Sequence, residues 1–562
     1  MRRIWKTLVG VLAAVAMLLT GLAGASTAFA ADETTKYTIT INESTEGYSF
    51  EAYQVFSGDL YEKDGKKVLS NIVWGSGVNG NDLLTALQQD KTLGSDFTGV
   101  STAAGVAEKL GSYTDNSDKA QAFASIAAKH LKTDEKKSSM WNAEGGNYTI
   151  SNLEAGYYLV KNADTSGVPS GGAATEYVLR VVGNVTVTPK SDVPTVEKKV
   201  QDINDSTDTQ PGEWQDSADH DVNDVVPFKL TGTLPDNYDA YKSYKYAFHD
   251  TLSKGLTFNA DSLKVYAVNG DVKTELKKVE VSTDKTGYTV ATGDAADTEG
   301  AYAGGHTLDI AFADLKQAVD MTGSKAPITK DTKIVVEYTA TLNDQSIIGS
   351  KGNPNKVYLE FSNNPNEGGE GDTGHTPEDQ VIVFTYELDV TKTDDEGNPL
   401  EGAKFTLYKK TSGYAEDDGA GTGWKQIGNE TEAVCTGTGE SKKCVAPFQR
   451  VDDGDYKLVE TTVPDGYNKA ADVEFTITAT HTDENKDGID ELTGLKIKIG
   501  DETEDGVLAT GVVSATVENK SGSELPETGG MGTTILYVVG AAVVVFAGLG
   551  LAVTLRRRQS RR

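Results

Sequence analysis

The sequence predicts an all-β protein built from tandem sandwich domains. Short runs that alternate polar and apolar residues, such as Tyr37–Ile41, recur along the chain between Gly, Pro, Asn and Asp. About 500 residues lie between the two apolar ends, which is enough for three or four domains. Because the chain holds only 2 cysteines, these domains do not depend on a disulfide framework.

The N-terminus has the features of an export signal. Arg2, Arg3 and Lys6 precede an apolar stretch, and Ala28-Phe29-Ala30 supplies the small residues of a signal-peptidase site. Residues 1–30 are therefore predicted to be a cleaved signal peptide. The compartment outside the cell permits disulfides, so a local bond between Cys435 and Cys444 is predicted in preference to a metal site or a catalytic thiol.

The last forty residues combine a motif, an apolar run and a basic tail in that order. Leu525-Pro526-Glu527-Thr528-Gly529 is followed by apolar residues over 533–555, long enough to span a bilayer, and then by five arginines. This order resembles the cell-wall sorting signal of Gram-positive surface proteins. The resemblance implies that a sortase cuts between Thr528 and Gly529 and passes the Thr528 acyl group to an amine. The alternative is a single-pass protein whose loop happens to contain this motif.

Maturation at both ends makes the chain strongly acidic. Removal of residues 1–30 and 529–562 takes away eight basic and no acidic residues, so the formal net charge changes from −31 to −39. A polyanion of this size is not expected to bind nucleic acid or an anionic membrane surface. Contact with the membrane is expected only before sorting.

Composition and periodicity divide the chain into six segments. They are the signal peptide (1–30), a first β domain with helical insertions over 81–90 and 118–132 (31–190), a middle domain (191–364), a linker (365–380), a third domain (381–521) and the sorting signal with its membrane span and basic tail (522–562). The seven strand-like segments of the middle domain favour an immunoglobulin-like sandwich. The linker is predicted from its Gly, Glu and Pro content.

The first domain ends in a strand that leads to Lys190. The segment Val185-Thr-Val-Thr-Pro189-Lys190 resembles the pilin motif of sortase-assembled fimbriae, in which a strand ends in Val-x-Val-Tyr-Pro-Lys-Asn. In that family the lysine attacks the sortase-bound threonine of the next subunit. Thr188 and Ser191 depart from the usual Tyr and Asn. The alternative is an ordinary surface lysine between two domains.

Strand alternation points polar residues into the cores of the last two domains. They are Lys198, Asp250 and Asn363 in the middle domain and Lys392, Glu460 and Asn519 in the third. Unpaired burial of such groups costs several kcal/mol. Desolvation also raises the pKa of an acid and lowers that of an amine, so the amine can attack the asparagine amide while the acid shuttles protons. Ammonia would leave and an amide cross-link would remain.

These two sets resemble the self-forming isopeptide bonds of Gram-positive pilins. The middle domain is similar to the A-type and the third to the B-type domain of collagen-binding adhesins, and Tyr456 to Glu460 resembles the family's E-box. The resemblance implies that Asp250 and Glu460 are the catalytic acids. A buried ion pair with an amide partner is the alternative, and Lys199 remains an alternative to Lys198. In the first domain Lys161 stands near the acid position, so no bond is predicted there.

One further segment suggests calcium only weakly. Asp483 to Gly488 begins like an oxygen-ligand loop, but Gly494 stands where a glutamate would complete it, which favours a solvated hairpin turn. No metal or cofactor is predicted. The chain also lacks a Ser/His/Asp grouping, a metal-spaced His cluster and a phosphate loop. Apart from self-directed cross-linking, no enzyme activity is expected.

Taken together, the motifs resemble those of major pilins, the shaft subunits of sortase-assembled fimbriae. The resemblance implies that a class C sortase joins the Thr528 carbonyl to the Lys190 amine of an identical subunit. It also implies minor and tip pilins as partners, anchoring to peptidoglycan and a surface pilus that supports adhesion. The alternative is a monomeric wall-anchored adhesin, or a minor pilin, that binds a host ligand.

Overall fold

A computed structural model describes most of the chain. It covers residues 35–63, 66–114, 117–163, 168–169, 171–189, 193–206, 212–365, 372–484 and 488–522. The predicted signal peptide, Lys190, Leu525 to Gly529 and the apolar run over 533–555 lie outside these residues. Within the described ranges, no helix is long and apolar enough to cross a membrane. The prediction of tandem all-β domains is confirmed.

Among its described residues, the first part of the chain holds nine strands and three α-helices. These are β1 Tyr37–Ile41, β2 Phe50–Lys63, β3 Lys66–Trp74, α1 Gly80–Gln89, α2 Ala103–Leu110, α3 Asp118–Ala128, β4 Lys137–Ser138, β5 Met140–Asn142, β6 Asn147–Leu153, β7 Gly156–Asn162, β8 Glu176–Val181 and β9 Val185–Val187. One sheet has the order β5-β6-β1-β9 and the other β3-β2-β7-β8, with β4 paired to β2.

The helices of this part pack on one sheet as insertions. α1 and α3 fall where the sequence predicts helices, whereas α2 was not predicted. Its N-terminus is capped by Thr102, whose side chain accepts a hydrogen bond from the Gly105 amide. β9 lies at a sheet edge and pairs in parallel with β1. The strand that precedes Lys190 is therefore an edge strand.

The middle part holds strands β10 to β22. These are β10 Val196–Gln201, β11 Trp214–Gln215, β12 Ser217–Asp219, β13 Val225–Gly232, β14 Tyr246–Leu252, β15 Leu256–Asn269, β16 Val272–Glu275, β17 Tyr288–Asp294, β18 His306–Phe312, β19 Lys333–Leu342, β20 Asn353–Ser362, β21 Thr373–His375 and β22 Asp379–Phe384. One sheet has the order β11-β10-β13-β19-β15-β16 and the other β12-β22-β20-β14-β18-β17, with β21 paired to β20. A single apolar core lies between them.

The predicted linker over 365–380 is partly a component of this sandwich. β21 pairs with β20, and β22 pairs with both β20 and β12. The sequence before β22 shows little apolar periodicity because β21 is too short for alternation to be visible. This short strand is held by its hydrogen bonds to β20. Ile382 and Phe384 at the end of β22 already belong to the next core. The chain therefore passes from one domain to the next within a strand.

The third part holds strands β23 to β32. These are β23 Tyr386–Asp394, β24 Lys404–Lys410, β25 Trp424–Glu432, β26 Val434–Thr436, β27 Lys443–Val451, β28 Gly454–Thr462, β29 Val473–Thr482, β30 Glu491–Ile499, β31 Glu502–Asp505 and β32 Val512–Asn519. One sheet has the order β26-β27-β23-β32 and the other β25-β24-β28-β29-β30-β31. Cys435 and Cys444 are disulfide-bonded at opposing positions of β26 and β27. Asp483 lies in the hairpin between β29 and β30.

A buried lysine joins the middle and third parts. Lys409 on β24 is 0% exposed, and its Nζ lies 2.7 Å from Oδ2 of Asp221 and 2.7 Å from Oδ2 of Asp452. Asp221 belongs to the middle part and Asp452 to the third, and the Asp452 amide also donates to Asp221 Oδ1 at 2.8 Å. Phe405 and Leu407 have the same inward parity on β24 as Lys409. We name Lys409, Asp221 and Asp452 the interdomain ion cluster.

The interdomain ion cluster keeps its lysine charged. Burial lowers the pKa of Lys409, but the facing carboxylates of Asp452 and Asp221 outweigh burial and hold the pKa well above its ordinary value. Asp205 lies 4.0 Å from the same Nζ. Removal of one partner from a buried ion pair leaves an uncompensated charge, which costs about 3 to 5 kcal/mol.

Substitution Lys409→Met should loosen the junction between the middle and third parts. Asp221 and Asp452 would face each other without a cation, so we expect faster proteolysis at the junction and a lower unfolding temperature of the purified ectodomain. Lys410→Met is the matched control, because Lys410 is 54% exposed and lies 3.5 Å from Asp455. Equal protease resistance of the two variants would contradict a stabilising role for Lys409.

Candidate cross-linking sites

The middle sandwich buries a lysine against an acid. Lys198 on β10 and Asp250 on β14 come from opposite sheets, and their side chains are both 0% exposed. Lys198 Nζ donates to Asp250 Oδ2 at 2.6 Å. Lys199 has the opposite strand parity; its side chain is 24% exposed and pairs with Asp216 at 2.5 Å. The structure therefore places Lys198, not Lys199, beside the acid.

Burial shifts the pKa values of this pair toward each other. It lowers the pKa of Lys198, and the attraction of Asp250 offsets this effect only in part. Burial likewise raises the pKa of Asp250 against the opposing influence of Lys198. Both shifts favour the neutral pair, an amine beside a carboxylic acid. A neutral amine is the form that can act as a nucleophile.

Asn363 does not join this pair. Asp250 is paired in register with Val357 on β20, and Asn363 lies six residues farther along the chain, about 20 Å at the rise of a strand. Asn363 instead contacts the first part of the chain. Its backbone carbonyl oxygen accepts from the Ala174 amide at 2.6 Å, and its side-chain Nδ2 donates to the Gly172 carbonyl at 3.4 Å. The predicted grouping of Asn363 with Lys198 is thus corrected by the register of β20.

Asn355 takes the place predicted for Asn363. It lies on β20 opposite Leu252, two residues from Asp250 along β14, and is 0% exposed. Its Nδ2 donates at 2.7 Å to the hydroxyl of Tyr338, which also contacts Lys198 and Asp250. Asn355 has the same strand parity as Asn363, so alternation alone does not distinguish them. The sequence did not single out Tyr338 as a site residue, because a tyrosine is a common residue in a core.

The third sandwich brings its predicted residues together. Lys392 lies on β23 and Asn519 on β32, and these strands pair in parallel in one sheet, whereas Glu460 lies on β28 of the opposite sheet. Asn519 Nδ2 donates to Glu460 Oε2 at 3.0 Å and to the Asn468 carbonyl at 2.8 Å. Lys392, Glu460 and Asn519 are 0%, 3% and 0% exposed.

The amine of the third sandwich is also shifted toward its neutral form. Lys392 Nζ donates to the carbonyls of Thr393 and Val517, at 2.7 and 2.9 Å. Burial lowers its pKa to about 8, although the Glu460 carboxylate opposes the shift. Lys392 and Lys198 therefore differ from Lys409, whose pKa is raised by two contacting carboxylates.

Both sites leave the same two kinds of oxygen unsatisfied. Among the described residues, the buried oxygens without a hydrogen-bond partner include one from each acid and one from each amide: Asp250 Oδ1, Asn355 Oδ1, Glu460 Oε1 and Asn519 Oδ1. A protonated acid that donated to the amide oxygen would satisfy both atoms of a site. Such a bond would also polarise the carbonyl toward attack by the amine. The arrangement is thus suited to amide exchange with release of ammonia.

Part of the third sandwich matches a known domain family. Residues 386–492 match the family model SpaA, described as a prealbumin-like fold domain. The matched segment contains Lys392 and Glu460, and Asn519 lies beyond its end. Over 438 residues the chain is 24% identical to the trypsin-resistant surface T6 protein of Streptococcus pyogenes, which covers 66% of this chain and 70% of the relative.

Solved structures similar to this chain include those of a backbone pilin and a major pilin. The T6 backbone pilin of Streptococcus pyogenes is 20% identical, covers 87% of this chain and 99% of its own, and superposes with a TM-score of 0.47. The full-length major pilin SpaD of Corynebacterium diphtheriae is 15% identical, covers 88% of this chain and 99% of its own, and superposes with a TM-score of 0.43.

Substitution Asn519→Ala should make the stability of the third domain depend on pH above 8. Lys392 then keeps a free amine, with a pKa of about 8 when folded against an ordinary value of 10.5. Between these values the unfolded chain binds more protons, so stability rises with pH, by up to about 1.4 kcal/mol per pH unit. Calorimetric unfolding of the ectodomain across this range measures the slope.

The double variant Lys392→Met/Asn519→Ala is the control for this measurement, because it lacks the amine but shares every other titrating group. Its unfolding temperature should not show the added rise. If the two variants have parallel pH profiles, Lys392 is not held in the neutral form by burial.

Proposed function

We propose that this chain is the shaft subunit of a covalent surface pilus, polymerised head to tail by a class C sortase. One observation carries the proposal: each of two consecutive sandwiches buries a lysine of lowered pKa near an acid and an asparagine. An internal cross-link has a clear use in a fibre one molecule thick, which must resist pulling. The folding free energy of an ordinary domain, about 5 to 15 kcal/mol, is small compared with the energy of a covalent bond, and folding is reversible.

The proposed bonds join Lys198 to Asn355 and Lys392 to Asn519. In the middle domain the bond would tie one sheet to the other, because β10 and β20 belong to different sheets. In the third domain the bond would join two neighbouring parallel strands, β23 and β32, which are the first and the last strand of that domain in the sequence. Asp250 and Glu460 would act as the acids of these single-turnover reactions. No other catalysis is proposed.

The proposed link between subunits joins the Thr528 carbonyl to the Lys190 amine. Lys190 follows β9 by three residues, and β9 is an edge strand of the first domain. Pro189 cannot extend the ladder, which favours an exposed lysine. The wall-sorting order of motif, apolar run and arginines supplies the acyl donor. Within one fibre every joint would then be covalent.

The relatives support a surface location and a fibre role. The T6 protein is described as a trypsin-resistant surface protein, and its solved structure is described as that of a backbone pilin. We accordingly propose that sortases, identical subunits, minor and tip pilins and peptidoglycan are the partners of this chain. The mature fibre would be anchored to the cell wall and support adhesion, with only a transient stage in the membrane.

The mature ectodomain, residues 31–528, should weigh two ammonia molecules less than its sequence mass after allowance for one disulfide. Each cross-link releases one ammonia when the amine displaces the asparagine nitrogen. Asn355→Ala and Asn519→Ala should each restore one ammonia, and intact-mass spectrometry measures this directly. Tryptic peptides that join Lys198 to Asn355 would locate the first bond.

Asn363→Ala is the matched control for Asn355→Ala, since both residues lie at the inward parity of the same chain segment. We expect its mass to retain the loss of two ammonia molecules. A restored ammonia in Asn363→Ala, with none in Asn355→Ala, would contradict the assignment of Asn355.

Wall extracts from cells that express the chain should show a ladder of detergent-resistant species. In Lys190→Ala the ladder should collapse to a single band, because the acceptor amine is missing. An immunoblot of boiled extracts measures the outcome, with Lys199→Ala as a control near the same junction. A single band in both wild type and Lys190→Ala would favour a monomeric wall-anchored adhesin or a minor pilin.

A further inference from the structure

We propose that the Tyr338 hydroxyl is a catalytic group of the middle-domain cross-linking reaction and carries a proton to the leaving nitrogen of Asn355. This inference rests on the proposed function, since it assigns a step of that reaction. It adds a fourth residue to the lysine, acid and asparagine of the site. The residue lies on β19, in the sheet that also holds Lys198.

The hydroxyl of Tyr338 contacts all three reacting groups. It donates to Asp250 Oδ2 at 2.9 Å and accepts from Asn355 Nδ2 at 2.7 Å and from Lys198 Nζ at 3.2 Å. A hydroxyl offers one donor and two acceptor sites, so these contacts use its full capacity. The hydroxyl oxygen is therefore hydrogen-bonded to the nucleophile, the acid and the leaving group at the same time.

Packing fixes the position of this hydroxyl. Tyr338 is 2% exposed, its ring stacks on Phe228 at 5.4 Å between centroids, and Phe258 packs edge-on at 5.6 Å. Burial, together with the nearby Asp250 carboxylate, holds the pKa of the phenol well above its ordinary value. The group therefore stays a neutral O–H. A preorganised donor of this kind pays no reorganisation energy when charge develops.

The reaction at this site needs a proton at the amide nitrogen. Lys198 first gives a proton to Asp250, and the free amine attacks Cγ of Asn355, so that a C–N bond forms and the carbonyl electron pair moves to Oδ1. The original C–Nδ2 bond breaks only after Nδ2 is protonated, because an amide anion is too basic to leave. The attacking nitrogen must at the same time lose one proton.

Tyr338 completes this exchange with every proton accounted for. Once the carbon is tetrahedral, Nδ2 is a basic amine and its hydrogen bond to Tyr338 can reverse. The hydroxyl then gives its proton to Nδ2 and takes one from Asp250, while Asp250 takes one from the attacking nitrogen. Ammonia leaves, the carbonyl re-forms and Asp250 remains protonated. No outside reactant is needed.

The third domain provides an internal comparison. There Asn519 Nδ2 donates directly to Glu460 Oε2 at 3.0 Å, so the acid itself can protonate the leaving nitrogen. In the middle domain, the described partner of Asn355 Nδ2 is the tyrosine hydroxyl, and Asp250 reaches it through that hydroxyl. The geometry thus provides a hydroxyl relay at the middle-domain site and a direct contact with the acid at the third-domain site.

The test is the rate of cross-linking in the complete ectodomain carrying Tyr338→Phe. The protein is made by cell-free synthesis, quenched at intervals and digested, and the Lys198–Asn355 and Lys392–Asn519 peptides are quantified by mass spectrometry. We expect the middle-domain bond to form about 100-fold more slowly, the low end of the general acid–base range. The third-domain bond should form at the wild-type rate in the same molecules.

Two controls separate catalysis from packing. Phe258→Leu removes a ring that packs on Tyr338 but keeps the hydroxyl, and should cross-link at close to the wild-type rate. Asn355→Ala and Asn355→Ala/Tyr338→Phe are both uncrosslinked in the middle domain, and equal unfolding temperatures would show that the fold tolerates phenylalanine. If Phe is not tolerated, 3,5-difluorotyrosine at position 338 keeps the shape with a more acidic phenol, and an altered rate is expected.

A wild-type rate of middle-domain cross-linking in Tyr338→Phe, or in the fluorinated protein, would overturn the catalytic role and leave Tyr338 as a packing residue. That result would not affect the proposed function, because the bond would still form. Absence of the Lys198–Asn355 peptide from the wild-type protein would overturn the proposed middle-domain cross-link and, with it, the role of Tyr338. The two failures are thus distinguishable in one experiment.

Discussion

The burial of lysine amines inside apolar sandwiches is the constraint on which this structure depends. Lys198, Lys392 and Lys409 are all 0% exposed, yet their surroundings give them different chemistry. Lys409 contacts two carboxylates from two domains and stays charged. Lys198 contacts one carboxylate and Lys392 hydrogen-bonds backbone carbonyls, and both shift toward the neutral amine. The balance between desolvation and Coulomb attraction therefore decides whether a buried lysine stays charged or shifts toward the neutral amine.

The two kinds of buried lysine act at different levels of the architecture. Lys198 and Lys392 lie inside single domains, on the first strand of each sandwich. Lys409 lies where the middle and third domains meet, and chain connectivity there is tight because Ile382 and Phe384 of β22 already belong to the next core. A fibre built from such units would resist stretching inside its domains through covalent bonds. It would resist bending between them through buried charge.

The two proposed reaction sites bring similar groups together in different geometries. The third domain places acid and amide in direct contact, and backbone carbonyls hold the amine. The middle domain separates the acid from the amide nitrogen and places the Tyr338 hydroxyl between them. The difference follows from the strands involved, since Lys392 and Asn519 share a sheet whereas Lys198 and Asn355 face each other across the core. The recurrence of lysine, acid and asparagine matches what the proposed amide exchange would require, although the two strand layouts differ.

Sequence alone determined the all-β tandem fold, two of the three helices and the inward direction of Lys198, Asp250, Lys392, Glu460 and Asn519. These follow from alternation, which is a local property of a strand. The same rule extends to Lys409, whose parity matches Phe405 and Leu407. The choice of Asn355 over Asn363 needed tertiary structure, because both share one parity and only the pairing of β20 with β14 fixes which lies near Asp250. The contacts of Tyr338 with the site likewise could be recognised only from the packing of the two sheets against each other.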